Sequence, residues 1–492
     1  MAVPNGLPNG HMNGHLNGHA NGSLTKSPDA AEKRRRLDHE ADVLIVGAGI
    51  LGCALAITLG KQGRSVLLLE NSLKEPDRIV GELLQAGGVE ALEKLGLREC
   101  LEEIDAIRVD GYRVSYFEHA VNLRYPKVNP WSARPEGRSF HHGRFVRRLR
   151  EAAMSCPNVT VVETKATDLV TCSHTKQVLG VECLTKNARD CYFADLTVVA
   201  DGYASKFRKQ NHPHAPKARS KFWGLELIDA PLPSPCYGHV ILTENPPILV
   251  YQIGTHETRI LIDIPENLPA ASTKNGGVKG YLRNSVLPTL PESIQQPFLD
   301  ALDKGQLRSM PNSFLPASTN KTPGLMILGD ALNMRHPLTG GGMTVALNDV
   351  VLLRDLLSPT TVPRFSNTSQ VLSQLSKFHW ARKNSSSVIN ILAQALYALF
   401  AADDPNLKAL QKGCFRYFQL GVVDEPMGLL GGLIRRPFVL FYHFFVVAFL
   451  AIWVVLREAK VYMLPFALWQ CVHVFWTACV VIFPYILAEV WS

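Results

Sequence analysis

With 492 residues, 47% of them apolar, and a formal net charge of only +8, the chain is long enough for a large catalytic unit of two interleaved domains and too weakly basic for nucleic acid to be its main partner. Its basic excess lies in local clusters such as KRRR at residues 33–36, and aromatic and basic residues do not interleave as a stacking platform requires. The ten cysteines show no CxxC pair and no Cys/His spacing that suits zinc, so they read as buried or idle thiols of a reducing compartment, with no disulfide framework and no metal site.

Residues 1–40 begin with near-repeats of Asn-Gly-His (NGHMNGHLNGHANG) and end in AEKRRRLDHE. Such a segment buries too little apolar surface to offset the entropy of ordering, so a disordered tail is expected. No apolar core follows its basic residues, so no signal peptide is read there.

Residues 41–70, ADVLIVGAGILGCALAITLGKQGRSVLLLE, organise the rest. An apolar strand at 43–46 leads into Gly47, Gly49 and Gly52, an Ala/Leu-rich helix runs to Leu59, and a second apolar run at 65–69 ends on Glu70. Gly47 makes the turn, Gly49 lets the backbone approach a pyrophosphate, and Gly52 lets helix and strand pack closely, while free N–H groups at the helix start hold phosphate charge. Glu70 stands where a ribose hydroxyl needs an acceptor, which suits FAD or NAD and disfavours NADP as the resident nucleotide.

Next comes LKEPDRIVGELLQAGGVEALEKLGL, with Arg78, Gly81 and Glu82 before a helical run from Val89. An arginine just after the ribose acid either reaches the cofactor and its phosphates or makes a surface salt bridge. Residues 107–125 alternate as strands, with Tyr112 beside Gly111, a candidate floor for the active site. SFHHGRFVRRLREAA places a basic helix over 144–150, a strand at 159–163 resumes the nucleotide domain, and LTVVADGYASKFR runs a strand into Asp201-Gly202 and a basic helix start. That Asp-Gly is either a plain turn or the element that closes the second half of the nucleotide fold.

From residue 222 to 265 the pattern changes to short alternating strands (FWGLELI, GHVILT, ILVYQI, TRILIDI), an antiparallel sheet with helical cover over about 280–307. TPGLMILGDALNMRHPLTGGGMTVALNDVVLLRDLL then returns to the first domain: a strand ends on Gly329-Asp330, and a helix starts at about Met343 after Gly340, Gly341 and Gly342. Three glycines before a helix let backbone N–H groups meet a negative group, such as the pyrimidine edge of a reduced flavin, and Asp330 is placed to accept from polyol hydroxyls.

Residues 388–402 (VINILAQALYALFAA) form an apolar helix that is a chamber wall, a membrane-facing surface or ordinary core. Residues 438–456 and 461–488 are two stretches long and apolar enough to cross a bilayer. Arg435 and Arg436 precede the first, and Arg457 and Lys460 lie between them. Two full spans would put one basic cluster on the wrong side, so a hairpin embedded from one face is favoured.

Taken together, VLIVGAGILG, LLLE, EPDRIVGELLQ, Gly111-Tyr112, FHHGRF, VVADG and GDALNMRHPLTGGGMTVALNDV with an apolar C-terminal pair resemble the squalene monooxygenase (squalene epoxidase) family, over essentially residue 41 to the C-terminus. The resemblance implies an FAD-dependent monooxygenase that converts squalene and O2 to (S)-2,3-oxidosqualene through a flavin 4a-hydroperoxide, a step of sterol biosynthesis. It places the enzyme on the endoplasmic reticulum membrane with its catalytic domain facing the cytosol, NADPH as ultimate reductant and NADPH cytochrome reductase as electron donor. It also implies FAD contacts at Ile50 and Leu51, at Glu70 and Asn71 on the ribose side, at Arg78 and Leu83, at Arg150 and Ala166, and at Asp330 and Met343, those of Leu83 and Ala166 through the backbone. Tyr112 resembles the family's active-site tyrosine, which orients the flavin or a side chain rather than transferring a proton. Gly47, Gly49, Gly52, Asp201 and Gly342 join the cofactor set from their own chemistry.

The expected fold is α/β: a Rossmann-type FAD-binding domain (41–110, 141–220, 321–360) interleaved with an antiparallel-sheet substrate domain (111–140, 221–320). A helical region (361–433) lines the substrate chamber, and a membrane-associated helical hairpin (434–492) follows. With one nucleotide fingerprint, electrons enter either from NADPH visiting near Asp201 or from a partner flavoprotein. The rivals are another FAD oxidoreductase acting on a polyprenyl lipid, an aromatic hydroxylase, and a prenyl-lipid carrier of the GDP-dissociation-inhibitor type, which reuses the glycine turn without redox work.

Overall fold

The strand Glu40–Val46 lies at the centre of a parallel sheet, because its Val43, Leu44 and Ile45 are apolar on both faces and wholly buried. This computed structural model describes residues 39–127, 129 and 131–491; most of the tail read as disordered lies outside them. Val66–Glu70 flanks the central strand on one side and the last residues of Ala188–Val199 on the other, all parallel, and Val159–Glu163 and Leu325–Ile327 extend the two edges. The helix Ile50–Lys61 is buried along nearly its whole length, and the helix Gly342–Leu356 packs beside it.

Two strands of this sheet, Lys165–Thr171 and Val178–Thr185, go beyond the sequence reading. They form an antiparallel meander with the start of Ala188–Val199. Lys165–Thr171 buries no residue fully, and register shifts interrupt its pairing, so the period-2 signal is erased.

The second sheet runs Arg308–Phe314, Lys217–Ile228, Glu257–Pro265, Ile248–Gln252, Tyr237–Leu242, Gly111–Tyr116, His119–Arg124, antiparallel except for the Tyr237–Leu242 and Gly111–Tyr116 pair. Along Glu257–Pro265, Ile260, Ile262 and Ile264 face the helical cover, whereas Arg259, Leu261 and Asp263 face the other way. The cover read over 280–307 is broken into Gly277–Tyr281, a π turn at Leu282–Val286 and Glu292–Lys304, because Pro288 and Pro291 interrupt it.

The apolar helix read at 388–402 is the last part of a 33-residue helix, Thr368–Phe400. Its first half is rich in Ser, Gln and Lys, but Val371, Leu375, Phe378 and Arg382 form a buried stripe at helical spacing. Pro405–Gln419 follows it, and the two C-terminal helices, Pro437–Glu458 and Leu464–Trp491, pack one face against this pair. Gly413 meets Ala451 so closely that an added Cβ would lie 2.6 Å from the alanine methyl. The opposite faces carry exposed Phe438, Trp453, Trp469 and Trp476.

Candidate active site

The glycine turn is built as the fingerprint requires. Gly47 has φ +104°, and a Cβ there would sit 2.5 Å from the Ala200 carbonyl oxygen; at Gly52 it would sit 1.9 Å from the Gly47 carbonyl oxygen. Gly49 is different: nothing lies within 4 Å of its added Cβ. It is the N-cap of Ile50–Lys61, with no side-chain cap and no acid in the first turn, so the first N–H groups there face the cleft without acceptors among the described residues. From behind, Glu70 Oε2 accepts the Ala48 N–H at 2.8 Å and lies 3.4 Å from Arg150 Nη2, while Arg150 Nε donates to the Ala48 carbonyl at 2.9 Å.

A second helix start faces the same cleft. Gly340 takes the left-handed conformation that closes the preceding turn, Gly341 presses on Ile389, and Gly342 has open space where its Cβ would be. Gly342–Leu356 also begins without a side-chain cap or an acid in its first turn. Two unsatisfied helix N-termini on one cleft, at glycines whose missing side chains leave room, fit a long dianionic ligand such as FAD.

Of the residues read from the sequence, Gly49, Ile50, Leu51, Arg78, Leu83, Tyr112, Asp330, Gly342 and Met343 all line this cleft. Gly47, Gly52 and Arg150 stand behind the turn, with Asp201 Cα 3.1 Å from the position of a Gly47 Cβ. Asn71 is exposed beyond Glu70, and Ala166, opposite Cys183, comes two residues after Thr164, whose N–H donates to the Glu70 carbonyl at 2.8 Å. Arg78 makes no ion pair among the described residues; its guanidinium lies 5.4 Å from the centre of the Tyr203 ring and its Nη2 3.9 Å from Met310 Sδ.

The other wall holds Tyr112 through partners to which the sequence reading gave no role. Gln85 is fully buried; the Thr339 carbonyl can only accept, so the Gln85 amide nitrogen faces it and also donates to Tyr112 Oη at 2.6 Å, leaving the amide oxygen to accept from Tyr125 Oη. Because Tyr112 Oη accepts, its own proton is free to point elsewhere. Burial holds the Tyr112 phenol well above its usual range, so it stays protonated. Glu82 is bound bidentately by Arg259, at 2.8 and 2.9 Å, tying this segment to the second sheet. His142 Nδ1 is 2.9 Å from the Gly81 carbonyl, and burial with the nearby Arg78 charge pushes it down to about 4, so it is neutral at pH 7.

Beyond the chamber, Asp263 is wholly buried and faces only neutral donors: Ser220 Oγ at 2.5 Å, Asn312 Nδ2 at 2.8 Å and Tyr397 Oη at 3.1 Å. Its nearest base, His336, is held neutral by burial, at about 3. Burial pushes the Asp263 carboxyl up to about 6 from 3.8. A raised carboxyl contributes its stability fully below about pH 4 and loses it as the pH rises to 6, a difference of roughly 2–3 kcal/mol. Asp263→Asn should therefore raise the melting temperature at pH 8 and leave it unchanged at pH 4; an equal gain at both pH values contradicts the assignment.

A parallel sheet with its glycine turn and an acid ending the second strand, a second open helix start on the same cleft and an antiparallel sheet beyond it define the fold of the FAD-dependent monooxygenases. Solved structures share it: PqsL, a probable FAD-dependent monooxygenase from Pseudomonas aeruginosa, has a TM-score of 0.60 at 20% identity, covering 74% of this chain and 97% of that one. For p-nitrophenol 4-monooxygenase PnpA from Pseudomonas putida DLL-E4 the TM-score is 0.64 at 17% identity, covering 80% and 98%. Within that fold the chain belongs to the squalene epoxidase family, whose profile matches residues 193–469; a profile for NAD(P)-binding Rossmann-like domains matches 45–73. Squalene epoxidase erg1 of Aspergillus fumigatus is 72% identical over 94% of this chain and 97% of its own length. Squalene monooxygenase of Mus musculus is 42% identical over 92% of this chain and 78% of its own length.

Proposed function

We propose that the chain epoxidises squalene with O2 in sterol biosynthesis, with FAD as resident cofactor and NADPH as ultimate reductant, in a chamber supplied from a membrane surface. The observation that carries this reading is one continuous apolar cluster. It runs from the cleft wall (Leu83, Tyr112, Leu249, Leu261) through Leu399 and Phe415 to Val447, Ala451 and Val474 of the C-terminal helices. A hydrocarbon with no polar atom is held only by such surface, and this cluster joins the cleft wall to the helices whose outer faces are apolar.

Bound FAD supplies the oxygen activation, and the protein supplies orientation and dryness. The N–H groups after Gly49, at Ile50 and Leu51, hold the diphosphate, and Glu70 and Asn71 hold the adenosine ribose, with Arg150, Asp201 and Ala166 bracing that end. Asp330 accepts from the ribityl chain, Arg78 and the Leu83 backbone flank the ring system, and the Gly342 and Met343 N–H groups stabilise charge at its pyrimidine edge. The domain boundaries given above follow the same reading. Tyr112, buried and protonated, orients the ring or its neighbours rather than acting as a base. Its phenylalanine variant should keep bound FAD while epoxide formation slows about tenfold or more, the loss of one oriented hydroxyl in a dry site; full turnover in that variant contradicts the role. The whole reading is tested by supplying the purified yellow protein with a cytochrome reductase, NADPH, O2 and squalene: oxygen consumption without the terminal epoxide defeats it.

The C-terminal pair embeds from one face, its outward aromatic side in lipid at the endoplasmic reticulum and the catalytic body in the cytosol, where a membrane-bound NADPH cytochrome reductase delivers electrons. Polar contacts to the catalytic body support this over free spans: Tyr417 Oη lies 2.6 Å from the buried His443, and at the surface Lys412 Nζ is 2.6 Å from Glu458. Serine at Phe438, Trp453, Trp469 and Trp476 together should release the protein from sedimenting membranes with its FAD content intact, and continued pelleting contradicts the docking face.

A further inference from the structure

The helix Leu464–Trp491 carries one acidic side chain, Glu489, and no Lys or Arg, and it turns that acid inward: the residue is only 5% exposed although its neighbours Val490 and Trp491 face outward. Glu489 Oε1 accepts from Asn390 Nδ2 at 2.7 Å. The same Asn390 nitrogen donates to Asn333 Oδ1 at 3.1 Å, and that oxygen also receives Arg335 Nη2 at 2.8 Å and Arg382 Nη2 at 3.0 Å. Arg382 in turn pairs with the buried Asp349 at 2.9 Å. Arg335 lines the cofactor cleft, and its Nη1 lies 3.5 Å from the carbonyl of Gly342, the first residue of the helix that faces the ligand.

The cluster thus sets three basic groups, Arg335, Arg382 and half-buried Lys383 at its rim, against three acidic ones, Asp349, Glu489 and the cleft residue Asp330, whose charge acts most strongly on Arg335. Burial lowers the Arg335 guanidinium to about 10, so it is still charged at neutral pH. Uncompensated charge in such a place acts at long range because little water screens it.

We propose that Glu489 is a positioning residue for the flavin site: from the last turn of the membrane-facing helix it balances the charge of the cluster under Gly342 and so sets the potential of the bound flavin. This rests on the reading of the cleft as an FAD site. Without the Glu489 charge the cluster carries one extra positive charge beside the cleft, which favours the anionic reduced cofactor. The last turn of the lipid-facing helix thereby becomes part of the redox site.

The test uses full-length protein in nanodiscs, with FAD content, flavin midpoint potential and membrane pelleting measured together. Glu489→Gln keeps an oxygen for Asn390 and removes the charge. It should keep FAD and membrane binding and shift the potential positive by about 30 mV, a tenfold change in the relative affinity for reduced and oxidised flavin. Glu489→Asp, which keeps the charge but shortens the reach, should stay near the wild-type potential even if it is less stable. Glu458→Gln, in the neighbouring helix, should not move it. A wild-type potential in Glu489→Gln, or an equal shift in Glu489→Asp, overturns the proposal. Wild-type protein that takes up no FAD overturns instead the cofactor reading beneath it.

Discussion

Arg259→Met is expected to destabilise the folded chain by about 3–5 kcal/mol, because it leaves the Glu82 carboxylate buried without its counter-charge. Glu82 is 1% exposed and Arg259 6%, so neither charge recovers hydration when the other is removed. The two Arg259–Glu82 hydrogen bonds, at 2.8 and 2.9 Å, satisfy both carboxylate oxygens, whereas the third partner, Glu226 at 3.1 Å, is in contact with solvent and contributes less. The melting temperature should fall by about 3–5 °C. The double variant Glu82→Leu, Arg259→Met should recover much of that loss, since it removes both charges and keeps volume. If the double variant is no more stable than the single one, the lost stability came from packing and not from the orphaned carboxylate.

The second large effect separates a glycine required by the protein from one required by its ligand. Gly52→Ala places a Cβ 1.9 Å from the Gly47 carbonyl oxygen, so the turn must open, costing about 1–3 kcal/mol of stability and the cofactor with it. Gly49 has φ −83° and ψ −169°, a conformation open to any residue, and no protein atom lies near its added Cβ. Gly49→Ala should therefore melt like wild type without cofactor yet bind FAD about 10- to 100-fold more weakly, as hydrogen bonds from the backbone to the diphosphate are held apart. Fluorescence titration with FAD and melting curves of the apo proteins measure both. A Gly49→Ala protein with unchanged FAD affinity contradicts the close backbone approach on which the cleft's assignment stands.

Much of the architecture was legible from residues 41–70 and 222–265, where strand, turn and helix periods are clean and bounded by glycines. The observed elements Glu40–Val46, Ile50–Lys61, Val66–Glu70 and Glu257–Pro265 fall within a few residues of their expected positions. The front half of Thr368–Phe400 was not legible, because serines and lysines dilute its stripe, and neither were the half-exposed meander strands. Gln85 and Glu82 stood in a motif that was quoted for its resemblance, yet nothing in their own spacing marked them as buried. Arg259 did leave a trace: between the alternating Ile260, Ile262 and Ile264, Arg259 and Asp263 fall onto the face of Leu261. That pattern placed charge against the chamber without saying what met it.

By itself the amino-acid sequence determined the backbone devices: which turn needs glycine, which helix starts are left uncapped, which strands are buried on both faces and which helices carry enough apolar surface to seek lipid. These depend on φ, ψ and side-chain period, which residues a few positions apart decide among themselves. Only the tertiary structure decided the pairings: Glu82 with Arg259 across 177 positions, Asn390 with Glu489 across 99, and two helix starts turned toward one cleft. A buried charge carries no local mark of its partner, because what selects that partner is exclusion from water, and exclusion exists only once the sheets and helices have closed over it.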